Sequence, residues 1–194
     1  HQKFLGASHA EFSAVGDFDA AQVKRALSEA LAGWHSPAAY QRVDDPLVPT
    51  SPARLVLVTP DKQNAVMSAM LALPLNDRHP DYAAFMLANH LLGSGGDSRL
   101  WNRIREKEGL SYSVYSTVQW NPVDVHSTWM AQAIFAPQNR DKVEKAFKEE
   151  RDRALTEGFT RAGLEAGRRG MWNCRHLSRA QDGRVAAGWV SNLY

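Results

Sequence analysis

Cysteine is almost missing from this chain: its 194 residues include one, Cys174. A lone thiol closes no internal disulfide and leaves no second sulfur for a zinc knuckle, which excludes disulfide-stapled and cysteine-rich metal-finger classes. Cys174 reads instead as a small buried hydrophobe. Long apolar runs are missing too; none reaches the roughly 18 consecutive residues of a membrane-spanning helix. Blocks of like charge are also lacking. The 23 basic and 21 acidic residues leave a net +2 with the signs interspersed. No basic stripe or stacking platform marks a nucleic-acid surface, and no internal repeat of roughly 20 to 50 residues is present. What remains is 44% hydrophobic and 23% charged, an ordinary globular composition with chain enough for a sizeable core.

The chain opens at His1 without a methionine, and HQKFLGAS has neither the basic start nor the apolar run of a signal peptide. At the far end DGRVAAGWVSNLY reads as a helix still in progress at Tyr194. The expectation is a single domain over 1–194, cut from a longer polypeptide.

Local patterns predict alternating strands and helices. HAEFSAV (9–15) is a strand candidate, and the Asp19/Gln22 pair caps a helix carrying Val23, Leu27 and Leu31 on one face, stopped near Gly33. Four prolines between Ser36 and Pro52 mark an irregular connection. LVLVTP (55–60) and AVMSAMLALPL (65–75) read as the arms of a hairpin. Pro80 opens a helix apolar nearly all round, which predicts packing on more than one side and an end at Gly93. After GSGGD (93–97), Asp97 or Ser98 caps a short helix with Leu100, Trp101 and Ile104 inward, ended by Gly109. Residues 110–120 and 126–135 alternate as a second hairpin around an Asn121-Pro122 turn, and helices follow over 139–157 and from Thr160 onward. Gly163, Gly167 and Gly170 each weaken that last helix by about 1 kcal/mol relative to alanine. The pattern predicts an α+β fold: two layers, a mostly antiparallel sheet with helices packed on one face.

Most candidate chemistry fails on spacing. The seven histidines (1, 9, 35, 79, 90, 126, 176) have no partner ligand three or four residues away, and His90 suits a packing role in an apolar helix. GSGGDSR lacks the lysine-then-hydroxyl ending of a phosphate loop and follows a helix rather than a strand, so it reads as a flexible turn. No nucleophile elbow surrounds Ser68, Ser94, Ser98, Ser111 or Ser113, and the pairs Asp44-Asp45 and Glu149-Glu150 sit on solvated segments. Arg105 near a helix end, with Tyr112 and Tyr115 on the following strand, remains. One turn brings a guanidinium and a phenol to the same mouth, both donors suited to a peptide carbonyl or a developing oxyanion. By residue type alone the better reading is a surface arginine and a half-buried strand tyrosine.

The string LLGSGGDSRLWNRIREKEGLSYSVYS (91–116) resembles the glycine-turn, S-R-L, I-R-E-K, G-L-x-Y-S-V-Y segment of the pitrilysin/insulinase zinc peptidases, the inverzincins. AEFSAVGDFD (10–19) and the 139–178 helix pair agree with that family in type and order. The resemblance implies paired halves of like fold enclosing a chamber, one half carrying the inverted zinc motif H-x-x-E-H. Here the residues three beyond the histidines are Phe4, Phe12, Ala38, Tyr82, Gly93, Trp129 and Arg179, never glutamate. The resemblance therefore points to the non-zinc, C-terminal half, binding no metal itself, with Zn2+ in a partner half of the same chain or of another subunit. It implies a substrate-binding role in a metalloendopeptidase that degrades peptides or small unfolded proteins, and a bacterial periplasmic setting. Arg105 and Tyr112, seven apart as in the family, would position the substrate backbone and stabilise the tetrahedral intermediate, with Gly93, Gly95, Gly96 and Tyr115 lining the chamber. The alternative is a non-catalytic structural or core-subunit homologue of the same fold.

Overall fold

A computed structural model of the chain describes residues 3–191. His1 and the last three residues of the expected C-terminal helix lie outside the described residues. The described residues group into two compact units, 45–173 and a second made of the N-terminal segment to Asp44 with the chain from Cys174 onward.

The 45–173 unit is built on an antiparallel sheet of β1 (Ala65–Leu73), β2 (Ser111–Gln119) and β3 (Ser127–Phe135), in the order β1-β3-β2. Strict alternation along β3 puts Ser127, Trp129, Ala131, Ala133 and Phe135 on the buried face. They pack with Val114 of β2 and with Leu100, Ile104 and Leu110. α3 (Arg140–Thr156) closes this side with Val143, Ala146, Phe147 and Glu150, a spacing that lines one helix face. The Trp129 and Phe147 rings stack with centroids 6.4 Å apart. The α+β fold with helices on one sheet face is thus the observed one.

α2 (Tyr82–Asn89) widens into a π-helical turn, His90–Ser94. It is less enveloped than its composition suggests: Ala83 and Ala84 are exposed. Asn89, where the turn begins, is buried and bonded on three sides. Its Oδ1 accepts from Ser116 Oγ at 2.6 Å and from Trp129 Nε1 at 2.9 Å, and its Nδ2 donates to the Ser116 carbonyl at 3.5 Å. α4 (Arg161–Ser178) starts at a Thr160 cap, whose Oγ1 accepts from Gly163 N at 3.1 Å. Gly167 on α4 has a packing reason: a Cβ there would stand 2.7 Å from Leu91 Cδ2. The intrinsic weakness of glycine in a helix is offset by this close approach.

Two expected strands do not form. Residues 55–60 pair with no strand, and Leu55, Leu57 and Val58 are about four-fifths exposed. β1 pairs instead with β3, from Ala65↔Phe135 to Leu73↔Ser127. Residues 9–15 are irregular as well, and Phe12 is exposed. A strand exists only where another lends it a ladder, and local β propensity does not supply one. The 110–120/126–135 hairpin does form, its turn held by Asn121 Oδ1, which accepts from the Val123 and Asp124 amides.

In the second unit, α1 (Ala20–Leu31) starts where Asp19 Oδ1 accepts from Gln22 N at 2.9 Å. α5 (Asp182–Ser191) lies in the same unit, where Ser13 Oγ donates to the Ala186 carbonyl. Cys174 is exposed rather than buried, as are Trp172 and Leu177 beside it on α4. The expectation of a buried thiol fails because this stretch of α4 leaves its apolar side chains in solvent.

Candidate functional site

The site is assembled where a helix hands over to a strand. Arg99 opens a helix that is π-helical over Trp101–Lys107, with Leu100 and Ile104 fully buried against the core. Ser98 stands at the expected cap position, but its Oγ is buried without a partner. The helix ends at Gly109, the left-handed residue there (φ +58°). The Gly109 amide donates to the Arg105 carbonyl and the Leu110 amide to the Ile104 carbonyl, which swings Leu110 into the core and starts β2 at Ser111.

β2 then bulges. Ser111 faces Phe135 and Ser113 faces Ile134, so Tyr112 is the extra, unpaired residue. The Ser111 hydroxyl stands 2.7 Å from the carbonyl oxygens of both Ser113 and Ile134 and holds the irregularity. A bulge turns a side chain away from the ladder. Tyr112 is 80% exposed, far more than the half-buried strand tyrosine its type suggested.

That displacement brings Tyr112 to Arg105. The Arg105 guanidinium carbon lies 5.5 Å from the Tyr112 ring centroid and 4.1 Å from that of Trp101, one helical turn earlier. Each such contact contributes about 0.5–1 kcal/mol at an exposed site. The nearest carboxylate, Glu106 Oε1, is 3.7 Å from Arg105 Nε; both side chains are substantially exposed, so that ion pair adds little. Aromatic faces hold Arg105, and its N–H edges carry no hydrogen bond among the described residues. The Tyr112 hydroxyl has none either.

The neighbouring arginines are spent differently. Arg103 bonds Glu108, reaches Glu149 Oε2 at 2.8 Å and Glu150 Oε1 at 3.7 Å, and so ties this helix to α3. The Glu108 hydrogen bond raises its pKa above the ordinary value. Arg99 donates to the Gly158 carbonyl and lies over the Phe159 ring. Of the three, Arg105 makes no hydrogen bond among the described residues, whereas Arg99 leaves its buried Nη1 unpartnered.

The other expected site residues are scattered. Tyr115 lies on the sheet face away from the helices; its hydroxyl donates to Gln132 Oε1 at 2.9 Å, and Gln132 Nε2 donates to Ser68 Oγ, a polar rung across all three strands. Gly93 is buried on the opposite face, where a Cβ would stand 2.3 Å from Ser116 Oγ. Gly93 and Tyr115 therefore share no surface. The Gly95 amide donates to the His90 carbonyl, and Gly95 and Gly170 flank the His90 ring, a packing role for that histidine. Gly96 is exposed with open space around it. Sequence reasoning missed Trp101, taken only as core-facing, although its i,i+4 spacing to Arg105 was the available signal.

A cleft of about 880 Å³ in the other unit, lined by residues including Phe4, His9, Ser36 and Tyr40, contains no carboxylate. Among the described residues no three His, Cys, Asp or Glu side chains gather closely enough to hold a metal ion, and no helix is long and apolar enough to cross a membrane.

Comparison with known proteins gives this arrangement a setting. No protein of curated function matches the sequence. A peptidase M16 inactive domain from Pseudomonas fluorescens is similar at 26% identity and TM-score 0.59, over 81% of this chain and 37% of that one. The periplasmic protease PqqL from Escherichia coli (17% identity, TM-score 0.64) and a protease from Helicobacter pylori (16%, TM-score 0.71) share the fold over 92% of this chain. This chain spans 20% of the former and 44% of the latter, less than half of each. The family description "Peptidase M16 inactive domain" matches residues 1–171. The chain belongs to that family, the inactive domain of the M16 peptidases, which is the pitrilysin-type resemblance carried by residues 91–116.

Proposed function

We propose that this chain is the non-metal, substrate-binding part of a zinc-dependent metalloendopeptidase acting on peptides or small unfolded proteins. The observation that carries the reading is the Arg105–Tyr112 pair: a guanidinium held by rings, with unspent N–H donors, beside an exposed phenol. The one carboxylate contact of Arg105, Glu106 at 3.7 Å, is long and solvent-exposed, and the Tyr112 phenol is exposed. Arg105 binds the backbone carbonyls of an extended peptide, and the Tyr112 hydroxyl donates to the oxygen that gains charge as the scissile carbonyl is attacked. Zinc, when bound by the complementary half, supplies the polarised water.

The test is Tyr112→Phe in the full-length protein with its complementary half, read as peptide cleavage. Loss of one oxyanion donor typically lowers turnover by about a hundredfold or more, with little change in KM. Unchanged turnover refutes the role.

A further inference from the structure

We propose that Trp101 is a positioning residue that holds the Arg105 guanidinium at the site, a role that rests on the reading of Arg105 given above. Trp101 and Arg105 stand four apart on the π-helical segment, where the wider turn brings such positions nearly into line. The Arg105 guanidinium carbon is closer to the Trp101 ring than to Tyr112, 4.1 Å against 5.5 Å. Trp101 is itself half-buried and packed against the core, so its indole is a fixed surface. Tyr112, on an exposed bulge, is not. Beside the indole, Glu106 Oε1 stands at a long 3.7 Å from Arg105 Nε, and a guanidinium released from the ring closes on that carboxylate and spends its donors there. Trp101 thus keeps the Glu106 contact long and the remaining Arg105 donors available to substrate, without touching substrate itself.

A double-mutant cycle on peptide cleavage by the full-length protein tests this, using Trp101→Leu, Arg105→Ala and both together. Trp101→Leu is expected to lower kcat/KM about two- to fivefold. In the Arg105→Ala background it should have no further effect, because a residue acting only through Arg105 has nothing left to act on. Trp101→Phe keeps an aromatic face and the packing and should restore most of the activity, which separates positioning from misfolding. Independent, additive losses would overturn the proposal, as would full activity in Trp101→Leu when Arg105→Ala is impaired. A second readout needs no catalysis: the labelling rate of Arg105 by an arginine-selective dicarbonyl, followed by peptide mapping. It should fall in Trp101→Leu, where Glu106 takes up the guanidinium, and stay unchanged in Trp101→Phe; an unchanged or higher rate in Trp101→Leu overturns the proposal. If Arg105→Ala leaves cleavage intact, the substrate-binding reading fails, and the labelling rate still decides whether Trp101 holds the guanidinium.

Discussion

The guanidinium carbon of Arg105 and the ring centre of Tyr112 are 5.5 Å apart, and the chain between them turns on one left-handed residue, Gly109. Glycine adopts φ +58° without penalty, whereas a Cβ brings about 1–2 kcal/mol of strain. Space around Gly109 is open, so the cost of a side chain there is conformational rather than steric. Gly109→Ala should therefore destabilise the protein by about 1 kcal/mol in urea unfolding, and Gly109→Asn by less, since asparagine tolerates this region. Equal losses for the two would mean that backbone conformation is not the cause.

Asn89 is the polar hub beneath the sheet. Replacing it with leucine strands the Ser116 hydroxyl and the Trp129 indole N–H in the core, where each has Asn89 Oδ1 as its partner. A buried donor left unpaired costs about 1–3 kcal/mol, so Asn89→Leu should lose at least about 2 kcal/mol. Thermal and denaturant unfolding measure it. A loss below about 0.5 kcal/mol would place the two donors in contact with water.

Acid should weaken one surface tie. Arg54 grips Glu144 of α3 through two hydrogen bonds of 3.0 and 2.9 Å, and Lys148 adds a third at 2.8 Å. The Arg54 hydrogen bond, then that of Lys148, pulls the Glu144 carboxyl from the ordinary 4.5 down to about 2. The folded state thus holds its charge on Glu144 where the unfolded chain has begun to take up a proton. Stabilisation is complete above pH 4.5 and disappears as the pH falls toward 2. Because these groups meet solvent, the effect is modest and screened by salt. Wild type should exceed Glu144→Gln in stability at pH 6 and converge with it near pH 2. A gap that persists unchanged through this range would show that the carboxylate charge is not involved.

Much of the molecule was readable locally. The inward triad Leu100, Trp101 and Ile104, the caps at Asp19 and Thr160 and the alternation of β3 depend on neighbours a few residues away, and they appear where the pattern put them. The resemblance of residues 91–116, rather than charge or spacing, singled out Arg105 and Tyr112 as candidates. The residues 55–60 and 9–15 show the limit: they have strand composition, but a strand is a relation between two segments.

By itself the sequence determined the family and the fold class, because a motif of fixed offsets and a hydrophobic period are properties of adjacent positions. Tertiary structure alone decided that β1 pairs with β3, that a bulge throws Tyr112 outward, and that Arg105 lies over the Trp101 ring. It also separated Arg105 from Arg103, identical in type and two positions away, by giving one three carboxylates and the other two rings. The reason is physical: pairing, burial and the company of a charge are set by which distant segments arrive at the same place.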